Sequence, residues 1–245
     1  MTDNHFSTSR LILKVYAGSH SYGTNVADSD HDFRGICVPP KNYLLGMDMF
    51  EQKQTNDPDE TIYSLKKFVH LALQNNPNIL DTLFVAPNHI LYEHEFGKEL
   101  RDLRYEFLSK KVYKTYGGYA YAQLKKMTTV TKDAQGKRLE SVEKYRYDTK
   151  NALHLIRLFK MGIEILTEGE VNVLRHDNKY LLDIRNGKYS LEYIQEEAKR
   201  LEELLDRAYV NSSLTNKPNY DKINKWVVSM HERSLNMENW NYRIN

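Results

Sequence analysis

"AGSHSYGTNVADSDHDFRG", residues 17–35, places Gly18 and Ser19 at the head of a short polar segment and two acids, Asp30 and Asp32, at its foot. The residues leading into it, "LILKVYA" at 11–17, are apolar or β-branched and read as a buried strand ending in a tight turn at Gly18. The residues at its foot run on as "HDFRGICVPP", 31–40, a second short strand stopped by Pro39 and Pro40. A strand, a Gly-Ser turn and an Asp-x-Asp entering the next strand decide what kind of sheet this is.

A strand has a side-chain period of two, so Asp30 and Asp32 are expected on one side. Two carboxylates so placed repel one another unless a cation lies between them, and Mg²⁺ is suited to one or two carboxylates together with substrate phosphate and water. Gly18 lets backbone approach a phosphate without a Cβ in the way, and Ser19 with the following amides donates hydrogen bonds to phosphate oxygens. Metal and phosphate held side by side point to phosphoryl or nucleotidyl transfer, in which positioning and charge neutralisation supply most of the rate.

The whole chain supports such a site without a global field. Its 245 residues suffice for one large domain or two small ones, and 35 basic against 33 acidic residues leave a net charge of only +2. Any polyanion site must be local. One cysteine, Cys37, allows no internal disulfide, and a polar start with no long apolar run argues against secretion or membrane insertion, so a cytoplasmic protein is expected.

Further along, "ETIYSLKKFVHLALQ" (60–74) begins as a brief strand and becomes helical, with Leu65, Phe68, Val69 and Ala72 at helical spacing. Pro77 is read as its stop, and Asn78 as the cap of a short helix carrying Leu80, Leu83 and Phe84. From about residue 93 no strand candidates remain, and helical patterns run over 94–107, 109–127, 143–167, 190–210 and 219–231. Ser190 is placed to cap the helix carrying Leu191, Ile194, Ala198, Leu201, Leu205 and Ala208. The polar stretch 128–141 reads as a surface linker. The fold class is therefore α/β (α+β): a small mixed-sheet core over residues 1–92 and a helical domain over 93–245.

A second cluster of chemistry lies in that helical half. Arg146, Lys150, His154 and Arg157 recur at steps of four, four and three, one stripe of a helix whose remaining surface is crowded with apolar residues. Such a stripe needs anionic company, either a substrate phosphate or an acid such as Glu164 as partner for Arg157.

The stretch "GSHSYGTNVADSDHDF" (18–33) resembles the signature of the DNA polymerase beta-like nucleotidyltransferase superfamily. "DETIYSLKKFVHLALQNNPNILDTLFVAP" (59–87), "YDTKNALHLIRLFKMGIEILTEGEV" (147–171) and "LLDIRNGKYS" (181–190) extend the likeness to its RNA-ligase-associated bacterial and phage branch, over about residues 16–210. The resemblance implies a third carboxylate from a later strand, Asp59 or Glu60, with Glu51 more distant. Asp59 is favoured because Glu60 shares strand parity with Ile62, expected to pack inward. It further implies two Mg²⁺ ions, or Mn²⁺ in their place, held by Asp30, Asp32 and Asp59. A nucleoside triphosphate would be bound by Gly18, Ser19, Lys150, His154 and Arg157, and a hydroxyl acceptor would take the nucleotide, an RNA or tRNA end in the first place. A modified protein or small molecule, and a nucleotide or RNA sensor without turnover, are the alternatives.

Overall fold

The computed structural model describes residues 6–128, 137–237 and 240. The chain forms two compact units, Met1–Phe107 with Pro218–Asn245, and Leu108–Lys217.

The first unit is built on a five-stranded mixed sheet. Helix α1 (Phe6–Ser9) leads into β1 (Leu11–Ala17), which breaks at Gly18 into the single turn of α2 (Gly18–Tyr22) and returns antiparallel to itself as β2 (Asp32–Cys37). After the two prolines come α3 (Lys41–Leu45) and the antiparallel pair β3 (Gln52–Asn56) and β4 (Asp59–Ser64). Strand β4 lies parallel to β2 and passes directly into α4 (Leu65–Ala72), where the Ser64 hydroxyl accepts from the Lys67 amide at 3.3 Å. Leu65, Phe68, Val69 and Ala72 are buried, as their spacing requires.

Pro77 does not stop a helix: it is the first residue of α5 (Pro77–Phe84), with Asn76 as N-cap. A proline costs nothing there, because the first amides of a helix have no intrahelical acceptor. The stop comes earlier, where Asn75 turns to φ +54° and its buried amide donates to Phe107 O at 2.6 Å. Strand β5 (Ile90–Glu93) then adds antiparallel to the far side of β1, giving the order β3-β4-β2-β1-β5, and α6 (Glu95–Asp102) follows. Neither β3 nor β5 announces itself in sequence. The first is wholly polar and the second has four residues, so each is a strand only through the neighbour it pairs with.

Every regular element among the described residues of the second unit is a helix. Helix α7 (Lys111–Thr128), α8 (Lys137–Tyr145) and α9 (Thr149–Glu168) are followed by α10 (Asn178–Arg185) and α11 (Leu191–Asn211). Of the expected linker, residues 129–136 lie outside the described residues, whereas 137–141 open α8. The helix expected over 143–167 is broken in two. Arg146 adopts φ +69°, and Asp148 caps α9 by accepting from the Asn151 amide at 3.1 Å. Helix α9 is the centre of this unit, packed on α7, α10 and α11. At Gly162 a Cβ would meet Tyr116 of α7 and Leu205 of α11, each at 3.1 Å. Ser190 caps α11 as expected, and Ile194, Ala198, Leu201, Leu205 and Ala208 are its buried stripe. The chain then returns to the first unit as α12 (Tyr220–Leu235). Among the described residues, no helix is long and apolar enough to cross a membrane.

Candidate active site

The corner at the end of β1 is made by backbone. Gly18 stands at φ +59°, and α2 closes one turn later at Gly23, φ +68°, whose amide donates to His20 O at 3.2 Å. The Ser21 hydroxyl donates to Gly18 O at 2.8 Å and fixes the turn from within. A Cβ on Gly18 would lie 1.8 Å from Asp32 Oδ2, so the Asp32 carboxylate occupies the space a side chain would need. Glycine is required here twice over, by backbone angle and by contact.

Asp32 pairs with Ala17 across the antiparallel side of β2 and with Asp59 across the parallel side. Paired residues of neighbouring strands share a sheet face, so Asp32 and Asp59 face the same way from adjacent strand ends. Glu60 lies on the other face, 2.6 Å from Lys14 Nζ, and Glu51 accepts from Lys67 Nζ at 2.9 Å. Ile62 is buried against Leu11 and Cys37 on Glu60's face. Burial in the same core pushes the Cys37 thiol up to about 12. The register therefore brings Asp59, and neither glutamate, opposite Asp32.

Asp30 departs from the strand expectation. Strand β2 begins at Asp32, because its partner β1 ends at Ala17 and has no residue to pair with anything earlier, and Asp30 is exposed in the preceding segment. Among the described residues no group of three or more His, Cys, Asp and Glu is spaced to hold a metal ion, so Asp30, Asp32 and Asp59 are not gathered into a three-acid cluster. A paired Asp32 and Asp59 still fits Mg²⁺, whose hard oxygen-ligand shell takes one or two carboxylates with phosphate and water. Arg34, on the face of Asp32, donates to Asn78 O at 2.7 Å. Tyr22 is packing: its buried hydroxyl donates to Asp81.

The basic stripe is rearranged. Arg146 lies outside α9, leaving Lys150, His154 and Arg157 on it. Lys150 is exposed, His154 is half-buried with its buried Nδ1 lacking a hydrogen-bond partner among the described residues, and Arg157 is 4% exposed with Nη1 against Met161 Sδ at 3.2 Å. Glu164 is not Arg157's partner. It accepts from Arg175 Nη1 and Nη2 at 2.6 and 2.7 Å. Two further cations converge on His154 that sequence reading missed, Lys126 from the last turn of α7 and Arg185 from the last turn of α10. Burial, then the charges of Arg157, Lys150, Arg185 and Lys126, push the His154 imidazole down to about 3, so it is neutral in a ring of positive charge. The only sequence signal for Lys126 and Arg185 is their place at helix C-termini, where cations are favoured on their own account.

Residues 2–230 match the family described as RNA repair pathway DNA polymerase beta family, RlaP. An uncharacterized 38.9 kDa protein of Enterobacteria phage T4 is 34% identical over 130 residues, covering 48% of this chain and 38% of that protein. An uncharacterized protein of Methanocaldococcus jannaschii is 23% identical over 231 residues, covering 84% of this chain and 88% of its own. Uncharacterized protein YcgL of Bacillus subtilis is 30% identical over 103 residues, covering 40% of this chain and 38% of that one. The chain thus spans less than two fifths of the phage and Bacillus relatives. Among solved structures, a nucleotidyltransferase-like protein from Exiguobacterium sibiricum aligns over 94% of this chain and 77% of its own at 11% identity, with a TM-score of 0.29. A match over 2–230 takes in both the sheet unit and the helical unit, and the chain belongs to the RNA repair pathway DNA polymerase beta family of nucleotidyltransferases.

Proposed function

We propose that the protein moves a nucleoside monophosphate from a nucleoside triphosphate to a hydroxyl acceptor, with release of pyrophosphate. The observation that carries this is the Asp32–Asp59 pair in parallel register, with Asp32 Oδ2 filling the place of a Gly18 side chain. Acid pair and glycine corner serve one end: phosphate oxygens meet backbone amides of the turn at Gly18 and Ser19 while the carboxylates stand beside them. Asp32 and Asp59 would hold Mg²⁺ or Mn²⁺, with phosphate oxygens and water completing the shell. When bound, such a cation neutralises triphosphate charge and lowers the pKa of the acceptor hydroxyl. Asp59, the more exposed of the pair, would take the hydroxyl proton. Lys150 and Arg157, beside His154, would receive an anionic part of the substrate, and together with Lys126 and Arg185 they make four positive charges around one neutral ring, which supports that role. An RNA end is the acceptor this reading favours, on the strength of the family's description.

The test is to incubate the protein with Mg²⁺ and each α-labelled nucleotide against RNA, protein extract and the protein itself, and to follow label and pyrophosphate. Asp32→Asn should abolish transfer with an unchanged melting temperature, and Lys150→Ala should raise the nucleotide KM severalfold. Thermal stabilisation by nucleotide with no pyrophosphate from any acceptor would replace the transferase by a sensor.

A further inference from the structure

The sheet face opposite Asp32 and Asp59 carries a set of rings that the proposed chemistry leaves unused. Side chains alternate along a strand, so Phe33, next to Asp32, and its cross-strand partner Tyr16 turn to this other face. Their ring centroids are 5.5 Å apart. His31 stands 5.6 Å from Tyr16 and nearly parallel to Phe33, at 14°. His20, from the turn after Gly18 and Ser19, stacks on His31 at 4.1 Å and 18°. His89 meets Tyr16 edge-on at 6.2 Å.

This face is well covered further along the strands, where Leu11, Cys37 and Ile62 are buried beneath Phe6, Phe50 and Tyr92. At the ring cluster the cover ends: His31 is exposed, and Tyr16, His20, Phe33 and His89 are half-buried. Rings recruited only for the core would be buried with it. Lys14 lies over Phe33 at 5.0 Å and is paired with Glu60 at 2.6 Å, so its charge is already met. Aromatic rings left half open to water are what unpaired bases stack upon.

We propose that Tyr16, His20, His31 and Phe33 form a stacking platform for unpaired bases of single-stranded RNA, next to the glycine corner. The proposal deepens the reading above by giving the acceptor strand a surface that begins one residue beyond the phosphate turn.

The probe is a single-stranded RNA decamer carrying 2-aminopurine near its 3′ end, whose fluorescence is quenched on stacking, titrated with the full chain. Quenching with the parent is expected, a Kd raised about tenfold by His31→Ala and by Tyr16→Leu, and recovery in His31→Phe, which restores a flat ring without an imidazole. The same decamer in a duplex should bind far more weakly. Binding without quenching, unaltered Kd in both ring-removal variants, equal binding of duplex, or equal quenching by free 2-aminopurine nucleotide would each overturn the platform. Asp32→Asn keeps the two ideas apart, since it should lose transfer and retain quenching. Quenching without transfer in the parent sinks only the transferase reading, and transfer without quenching sinks only the platform.

Discussion

Gly18 shows how narrowly a single residue is constrained at this corner. Its φ of +59° is a region where a side chain costs about 1–3 kcal/mol, and its missing Cβ is the space taken by Asp32 Oδ2. Gly18→Ala should therefore lose transfer and about 1–3 kcal/mol of stability, measured by urea unfolding beside the activity assay. A variant that keeps full activity would show that the carboxylate position is not needed. The acids nearby were legible to different depths. Alternation along "DETIYSL" separates Asp59 from Glu60, but that Asp59 meets Asp32 follows from a strand register between segments 27 residues apart, which no local pattern encodes. For Asp30 the period-two argument failed because a strand lasts only as long as its partner, and β1 had already turned away.

At the scale of elements, the helical unit is held at α9 and the segment leading to α10 by a buried ion network. Arg175, 2% exposed, forks onto Glu164 and reaches Asp177 Oδ1 at 2.9 Å, and Asp177 also accepts from Lys160. Its hydrogen bonds to these acids outweigh the burial that opposes its charge and hold the Arg175 pKa above the ordinary arginine value. Removing one member leaves buried charge behind, so Arg175→Met should cost about 3–5 kcal/mol, read as a lower urea midpoint for the unfolding of this unit. A loss below about 1 kcal/mol would mean the site relaxes to admit water. The network also explains why Glu164, left open in the sequence as a partner for Arg157, is not one. It stands seven residues from Arg157 on α9, yet Arg175, beyond the end of the helix, folds back with a two-pronged geometry that outcompetes it. Helix α10 went unread because its apolar positions are few, and "NP" at 76–77 was misread because the same proline that ends one helix pattern can begin the next.

For the molecule as a whole, His154 gives a pH dependence of defined sign. Its folded value of about 3 lies below the ordinary 6.5, so between these limits the unfolded chain takes up a proton that the folded one refuses. Stability is unaffected above 6.5 and falls with pH below it, by about 1.4 kcal/mol per pH unit. Between pH 7 and pH 5 the parent should lose about 2 kcal/mol more than His154→Gln, compared by urea midpoints. Equal losses would place the imidazole in water. What the sequence by itself determined was everything carried by short-range order: β1 and β2, the glycine corner, the buried stripes of α4 and α11, the cap at Ser190, and the residue types from which a phosphate and metal site is made. What only the tertiary structure decided was company: Asp59 across from Asp32, Glu60 with Lys14, Glu164 with Arg175, Lys126 and Arg185 around His154. The reason is that periodicity and capping act within a few residues and leave their mark in the order of the chain. Register and charge neighbourhoods join segments tens of residues apart, and these meet only when the core is packed.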